Sequence, residues 1–437
     1  MCEPMTDRAS RYDVLIIGGG PAGLAAGVAA RDSGARVAIA DDNPGLGGQI
    51  WRGEDRSATT PEAADWLRRV RGAGIDLLPG ARIFDQPEPG LLLAETEDGV
   101  RELGYDKLIL AVGARERFLP FPGWTLPGVA GAGGLQALVK GGLPIEGKRV
   151  VVAGTGPLLL AVAAYLRKRG ARVALIAEQA PFGKLLAFGL GLWLSPGKLL
   201  QAVRLQGDLA GIPHRIGCWP VAAEGDGRLQ RVRLRQGRDE RIVECDYLAC
   251  GFHLLPNTEL AVLLGCALRD GAVQVDEFQQ TTRPGIYCAG ESTGIGGLDV
   301  SLIEGRIAGL AATGRAAQAR ALFARRASHQ RFADTLNRAF ALRDELRRLP
   351  AADTLVCRCE DVSFARLQHQ PSWRAAKLHT RCGMGPCQGR ICGGAIEFLL
   401  GWPADSVRPP VFPVRVDSLL FDREERRGDG ERGELLL

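Results

Sequence analysis

The stretch DVLIIGGGPAGLAAGVAARDSGARVAIADD, residues 13–42, decides the fold. An apolar run typical of a buried parallel strand leads through a glycine-rich turn into a helix, and a second apolar strand follows, which predicts a βαβ unit. The G-x-G-x-x-G spacing suits a tight turn, the close approach of a pyrophosphate and the packing of helix on strand. An acidic residue at the end of the second strand suits a ribose hydroxyl. The predicted dinucleotide contacts are Gly18, Gly20, Pro21, Ala22, Gly23 and Asp41.

The same design returns at residues 149–178, RVVVAGTGPLLLAVAAYLRKRGARVALIAE. Leu159 stands where the third glycine of the motif would be, and its side chain is expected to widen the gap between helix and strand. When the two glycine motifs are aligned, the position of Asp41 corresponds to Ala177, and the next residue is acidic. A second nucleotide, NAD(H) or another adenine nucleotide, is therefore expected here, with an empty domain as the alternative. The predicted contacts of this second site are Gly154, Gly156 and Glu178.

The composition predicts a globular chain without a nucleic-acid partner. Of the 437 residues, 46% are hydrophobic and 24% are charged, and the net charge of +5 forms no basic stripe. The first residues carry no secretory signal, which favours a cytoplasmic location, with peripheral association with the inner membrane as a further interpretation. The apolar run LLAFGLGLWL, 185–194, is too short to cross a bilayer. We expect a buried segment there, and a surface for a partner subunit or a membrane is the alternative.

The 11 cysteines indicate metal or redox chemistry rather than a disulfide framework, because their number is odd and no signal precedes them. No C-x-x-C occurs, so a catalytic dithiol is not expected. IVECDYLAC, 242–250, is predicted to be one strand that holds its two cysteines on opposite faces of the core. Five cysteines follow Thr354, in a C-x-C at 357–359 and a glycine-rich loop at 382–392. Four thiolates from two loops can hold zinc or a [2Fe–2S] cluster, and the lack of C-x2-C knuckles favours the cluster.

Two motifs of this cysteine region resemble a known family. CRCEDV at 357–362 and TRCGMGPCQGRIC at 380–392 are similar to the bacterioferritin-associated-ferredoxin-like [2Fe–2S] module of certain α subunits. These belong to multi-subunit FAD-dependent amine and amino-acid dehydrogenases of the D-hydroxyproline dehydrogenase, opine oxidase and hydrogen cyanide synthase type. The α subunit of heterotetrameric sarcosine oxidase is a more distant relative. Further matching motifs are GGGPAGLAAG at 18–27, GLGGQIWRG at 45–53, GTGPLLLAVA at 154–163, PNTEL at 256–260 and RPPV at 408–411.

The resemblance implies an α/β fold with two interleaved Rossmann-like dinucleotide-binding domains and a small C-terminal α-rich [2Fe–2S] module. LILAVGARER at 108–117 and GIYCAGE at 285–291 match the second and third flavin motifs, which makes FAD the expected cofactor, although glutamate replaces the usual aspartate at 291. The further FAD contacts implied are Gly48, Gln49, Arg52, Ala111, Gly113, Gly290 and Glu291. The implied segments are 1–120 with 256–313 for FAD, 121–255 for the second nucleotide, a helical linker at 314–350, the cluster module at 351–403 and an extended tail at 404–437.

The resemblance also implies a role. The cluster ligands of the family map onto Cys357, Cys359, Cys387 and Cys392, which leaves Cys382 as a spare thiol, with Cys382 as the fourth ligand being the alternative. The chain is then expected to be an electron-transfer α subunit without a catalytic side chain of its own. Its partners would be an amine-oxidising, D-amino-acid-oxidase-like β subunit, a small third subunit, and a quinone or carrier as acceptor. The expected substrate is D-hydroxyproline or a related amino acid or opine. A self-contained NAD(P)H:acceptor reductase is the alternative, and a hydrogen cyanide synthase or opine oxidase subunit is the second alternative.

Overall fold

The computed structural model describes residues 10–53, 60–191, 196–403 and 407–420. Parallel strands alternate with helices over most of this length, which confirms the α/β prediction. Residues 404–406 and 421–437 of the predicted tail, and the last residues of the apolar run 185–194, lie outside the described residues. Among the described helices, none has both the length and the apolar character that crossing a bilayer requires.

The chain begins with a Rossmann-like unit. Its elements are β1 (Ser10–Ile17), α1 (Pro21–Arg31), β2 (Val37–Asp41), α2 (Pro61–Gly72), β3 (Asp76–Pro79), β4 (Arg82–Glu88), β5 (Leu91–Thr96) and β6 (Gly99–Leu110). The strand order is β3-β2-β1-β6-β5-β4, and β1 pairs in parallel with both β2 and β6. Because β1 is central, its apolar residues from Val14 to Ile17 are buried. The carboxyl ends of β1, β2 and β6 meet at one edge, where folds of this kind bind their ligands.

A second Rossmann-like unit follows. Its elements are β7 (Ala114–Glu116), β8 (Val129–Gly131), α3 (Ala132–Lys140), β9 (Arg149–Thr155), α4 (Pro157–Lys168), β10 (Arg172–Glu178), α5 (Phe182–Gly191), α6 (Pro196–Asp208), β11 (His214–Ile216), β12 (Cys218–Glu224), β13 (Arg231–Gln236), β14 (Asp239–Glu244), β15 (Tyr247–Phe252) and β16 (Leu254–Pro256). The parallel sheet has the order β11-β10-β9-β15-β8, and β12, β13 and β14 form an antiparallel sheet. The chain passes from the first unit to the second through β7 and returns through β16, and these two strands pair antiparallel.

The predicted single strand at 242–250 is wrong. Cys245 lies between β14 and β15, and Cys250 lies within β15, yet both are buried in the same hydrophobic core. Asp246 breaks the strand because its carboxylate accepts the backbone N–H of Arg149, 2.7 Å away, and its own N–H donates to the carbonyl of that residue. The two cysteines are core residues, as expected, but they do not face opposite sides.

The chain then returns to the first sheet. The elements of this return are α7 (Glu259–Leu263), β17 (Leu268–Arg269), β18 (Ala272–Val273), β19 (Ile286–Cys288) and α8 (Gly297–Ala312). Strand β19 pairs in parallel with β6, which completes the ligand-binding edge. Helix α8 lies against α1 so closely that a Cβ at Gly305 or Gly309 would overlap the carbonyl oxygen of Ala22 or Ala26.

Two helices, α9 (Ala316–Arg320) and α10 (Phe323–Ala339), connect this unit to the cysteine region. The aromatic face of α10 meets α5: the ring of Phe188 lies 6.0 Å from that of Phe332 and 5.6 Å from that of Phe340. The prediction that the run 185–194 is buried is wrong for its described part. Helix α5 has no buried residue, and an exposed stripe on its other side is formed by Phe182, Leu186 and Leu190.

The cysteine region is a small unit with its own core. Its elements are β20 (Leu355–Cys357), β21 (Val362–Ser363), α11 (Phe364–Gln368), α12 (Trp373–Thr380) and α13 (Cys392–Leu400). The tail after it contains a short helix, α14 (Val416–Leu419), so the prediction of a wholly extended tail is wrong. The tail lies against the first unit, where Arg415 donates to Glu95 through its backbone N–H at 2.7 Å. The domain limits given above remain predictions.

Candidate functional site

The first glycine turn fits a dinucleotide. Gly18 has φ +107°, and a Cβ on it would overlap the carbonyl oxygen of Ala111, the residue directly after β6. A Cβ on Gly23 would overlap the carbonyl oxygen of Gly18, so only glycine lets α1 approach β1 this closely. Gly20 is the N-cap of α1 and is half-buried, with Pro21 as the first helical residue. The free N–H groups of the helix start are therefore available to an anion.

The acid at the end of β2 holds this turn in shape. One carboxylate oxygen of Asp41 accepts the N–H of Gly19 at 2.5 Å, and the other accepts the N–H of Asn43 at 2.8 Å. Its side chain is 7% exposed and remains at the binding edge. The structure thus places Asp41 beside the glycine turn, where a ribose would lie.

The segment after β2 closes over the same turn. A Cβ on Gly48 would lie 3.0 Å from the Cα of Gly20. The loop and the turn therefore contact each other backbone to backbone, with one glycine on each side. The guanidinium of Arg52 donates to Gln49 at 3.2 Å and to Asn43 at 3.0 Å. The three residues that the resemblance named from this loop therefore lie beside the predicted FAD turn.

The second and third flavin motifs reach the same edge. The carbonyl of Gly113 accepts the N–H of Asn257 at 3.0 Å and the hydroxyl of Ser292 at 3.0 Å. Gly290 has φ +80°, and a Cβ on it would lie 2.9 Å from the Cβ of Ala22. Burial raises the pKa of Glu291, the acid that replaces the usual aspartate. These contacts bring the predicted FAD residues together around one cleft, and a phosphate-accepting helix start with close-lying glycines fits that cofactor.

One functional candidate was missed by the sequence reasoning. Glu304 on α8 is 3% exposed, and its carboxylate accepts the N–H of Gly290 at 2.9 Å and the hydroxyl of Thr293 at 3.0 Å. Burial raises the pKa of Glu304 to about 7. A lone glutamate in an apolar helix was the available signal, since a buried acid needs a partner.

In the second unit, Glu178 is the counterpart of Asp41. In the first sheet Ile17 pairs with Ala40, so the register puts Asp41 level with Gly18. In the second sheet Glu178, rather than Ala177, lies opposite Gly154. The predicted register was wrong by one residue because β10 contains a β-bulge. The carboxylate of Glu178 accepts the N–H of Gly156 at 2.7 Å, as the acid of the first unit accepts a glycine N–H.

The second turn differs from the first in two respects. Gly156 is buried, whereas Gly20 is half-buried. Leu159 is 1% exposed and fills the space between α4 and β15, since a Cβ on Gly251 would lie 3.4 Å from it. The linker also reaches this turn, because the hydroxyl of Thr155 donates to the carbonyl of Phe340 at 3.0 Å. Whether this unit takes NAD(H) or another adenine nucleotide stays a prediction.

The cysteine region brings five thiols together in two groups. Cys357, Cys382 and Cys392 are buried, and their sulfurs lie within 4.8 Å of one another. The sulfurs of Cys359 and Cys387 lie 3.7 Å apart on the more exposed side. The structure therefore includes Cys382, which the sequence reasoning treated as spare, in the inner group.

The backbone around the thiols is shaped by glycine. A Cβ on Gly385 would overlap the Cβ of Cys359, so the loop can approach only because that residue is glycine. The N–H of Gly383 donates to the sulfur of Cys357 at 3.5 Å. The neighbouring thiols of Cys382 and Cys392 also donate to that sulfur, which lowers the pKa of Cys357. Five converging thiols, one of which receives a backbone N–H, are a donor set that an iron–sulfur cluster or a metal can use.

Comparison with known proteins supports this picture. The family model described as pyridine nucleotide-disulphide oxidoreductase matches residues 12–317. Hydrogen cyanide synthase subunit HcnB of Pseudomonas protegens is 33% identical, covering 87% of this chain and 90% of its own length. An opine oxidase subunit from Rhizobium meliloti is 32% identical, covering 93% and 97%. The crystal structure of L-proline dehydrogenase from P. horikoshii aligns with a TM-score of 0.66 at 20% identity, over 94% of this chain and 80% of that one.

The fold and the flavin cleft define an oxidoreductase of the two-dinucleotide flavoprotein class. The chain belongs to the pyridine nucleotide-disulphide oxidoreductase family, and membership indicates FAD and nucleotide binding. The resemblance stated from the sequence is confirmed, since relatives named as subunits of hydrogen cyanide synthase and opine oxidase match it over most of its length.

Proposed function

We propose that this chain is the FAD- and [2Fe–2S]-containing electron-transfer subunit of a hetero-oligomeric dehydrogenase that acts on amines or imino acids. The observation that carries the proposal is the gathering of five thiols in a unit docked on the flavin cleft. When bound, FAD can accept an electron pair and release the electrons one at a time, and a [2Fe–2S] cluster exchanges them singly. A protein that holds both can connect a two-electron donor to a one-electron acceptor.

The proposed ligands are the four that the resemblance named. Cys359 and Cys387 form the outer pair, and Cys357 and Cys392 belong to the inner group. Each iron of such a cluster takes two protein thiolates. The outer pair would therefore bind one iron and the inner pair the other. Cys382 is left beside the inner pair as a buried thiol.

The proposed complex follows from the relatives. Hydrogen cyanide synthase and opine oxidase are named by their subunits, which supports an oxidising partner for this chain as well. We propose that the amine is oxidised on the flavin of a D-amino-acid-oxidase-like β subunit, and that a small third subunit belongs to the complex. The proposed substrate is D-hydroxyproline or a related amino acid or opine, and the proposed acceptor is a quinone or carrier.

Expression with and without the neighbouring genes tests this role. The chain alone should contain flavin and iron but should oxidise no amine with an artificial dye as acceptor. The co-purified complex should oxidise an imino acid. Dye-linked amine oxidation by the isolated chain would contradict the assignment as an electron-transfer subunit.

A self-contained NAD(P)H:acceptor reductase is a second candidate, favoured by the position of Glu178 at the second glycine turn. A carboxylate there can accept a ribose 2′-hydroxyl and disfavours a 2′-phosphate. Leu159 and the burial of Gly156 count against it. Rapid bleaching of the flavin by NADH in the isolated chain would establish this candidate, and an unchanged flavin spectrum would exclude it.

A further inference from the structure

Arg390 lies in the glycine-rich loop between Cys387 and Cys392, and it is half-buried. It donates to the carbonyl of Val411 at 2.6 Å and to that of Cys387 at 3.4 Å, and it stacks on the ring of Phe412 at 4.1 Å. These are neutral partners. Among the residues that the structure describes, no carboxylate lies within ion-pair distance of this guanidinium.

The loop that carries Arg390 is tied to the flavin cleft by Arg115. The side chain of Arg115 donates to the backbone carbonyl of Arg390 at 3.1 Å and to the amide oxygen of Asn257 at 2.8 Å. The amide nitrogen of Asn257 in turn donates to the carbonyl of Val112, beside the flavin-motif glycine. The flavin-motif turn and the cysteine loop are therefore joined through two side chains.

The charges around this junction do not cancel. Arg115 forms an ion pair with Glu259 at 2.8 Å, so these two neutralise each other. The charged groups that act on Arg390 are Glu259 and Cys387 on the acidic side, and Arg115 and Arg82 on the basic side. A half-buried cation without a carboxylate of its own is stabilised further when a negative group lies nearby.

We propose that Arg390 is the fixed positive charge of the cluster site, and that it stabilises the reduced cluster. This inference rests on the proposed function. With both groups bound, transfer of one electron from the flavin would add one negative charge to the cluster and would form or break no bond to the protein. A nearby fixed cation lowers the energy of the more negative state, because net charge is among the factors that set the potential of such clusters.

Redox titration of the purified, cofactor-loaded protein tests the proposal, with electron paramagnetic resonance reporting the reduced cluster. Arg390→Gln should keep its iron and shift the flavin–cluster electron equilibrium away from the cluster by about tenfold, which is 59 mV for a one-electron couple. Arg390→Lys keeps the charge and should stay near the wild type. Arg374→Gln, which removes an exposed arginine of the same unit, is the matched control and should not shift the potential.

Glu259→Gln should shift the cluster potential in the direction opposite to that of Arg390→Gln. Removing this acid leaves Arg115 uncompensated, so the cluster potential should rise. An unchanged potential in iron-loaded Arg390→Gln would overturn the proposal, as would an equal shift in Arg374→Gln. If Arg390→Gln takes up no iron, Glu259→Gln decides: a higher potential supports the proposal and an unchanged one overturns it. Absence of iron from the wild-type chain would instead contradict the proposed function on which the inference rests.

Discussion

Single residues of the flavin cleft were predictable from the sequence because their chemistry is local. A Cβ on Gly18 or Gly23 would overlap a carbonyl oxygen, and Asp41 accepts a glycine N–H, as the motif implies. The apolar helix α8 signals that Glu304 is a buried acid, but its partner was not predictable, because nothing in the sequence near α8 shows that the chain returns to Gly290. Long-range packing decides which partner a buried acidic side chain meets, and the apolar periodicity of a single helix does not reveal that packing.

The cysteines provide the first residue-level prediction. Cys387→Ala should lose iron, because it removes half of the outer thiol pair, whereas Cys382→Ala should keep it. Iron and sulfide content per chain, with the visible spectrum, measures both. Loss of iron in Cys382→Ala with full iron in Cys387→Ala would show that the ligand set is wrong.

Glu178 provides a prediction about pH. Burial raises its pKa from 4.5 to about 7 in the folded protein, so between these values the folded state binds more protons than the unfolded chain. Its contribution to stability is fully present below about pH 4.5 and is lost as the pH rises through 7, a change of about 3 kcal/mol.

Glu178→Gln removes this dependence. The Tm of the variant, measured against the wild type from pH 5 to pH 8, should therefore rise relative to the wild type as the pH increases. Glu277→Gln, an exposed substitution, is the control and should follow the wild type. A constant difference between Glu178→Gln and the wild type over this range would contradict the raised pKa.

At the scale of elements, the pattern predicted strands and helices well but not their surroundings. The β-bulge in β10 displaced the expected register by one residue, since a bulge adds a residue without changing the apolar pattern. The apolar helix α5 is exposed along Phe182, Leu186 and Leu190, because α10 covers only its other side. Hydrophobicity alone does not tell a core helix from one with a free apolar face.

The junction of α1 with β1 gives a prediction at this scale. Gly23→Ala should abolish stable flavin binding and lower the Tm, because the added Cβ would overlap the carbonyl oxygen of Gly18 and push α1 from the sheet. Gly72→Ala, at the end of α2, meets no atom within 4 Å and serves as the control. Flavin content after gel filtration and thermal unfolding measure the effect. Full flavin content in Gly23→Ala would contradict this account of the turn.

At the scale of the whole molecule, the decisive feature is the position of the cysteine unit. Arg115 and Asn257 join it to the flavin-motif turn, and the tail after it contacts the first unit through Val411 and Phe84 at 2.8 Å. The motifs predicted a flavin site and a cysteine site separately. Their contact depends on residues far apart in the chain, so only the three-dimensional structure joins them.

The central claim is that this joined unit carries electrons between a flavin and a [2Fe–2S] cluster. The most direct test is the iron, acid-labile sulfide and flavin content of the purified chain, together with its electron paramagnetic resonance spectrum after reduction. The account predicts about two iron atoms and about two sulfide ions per chain, with bound FAD and the signal of a reduced [2Fe–2S] centre. Zinc in place of iron, or flavin without any iron–sulfur signal, would contradict it.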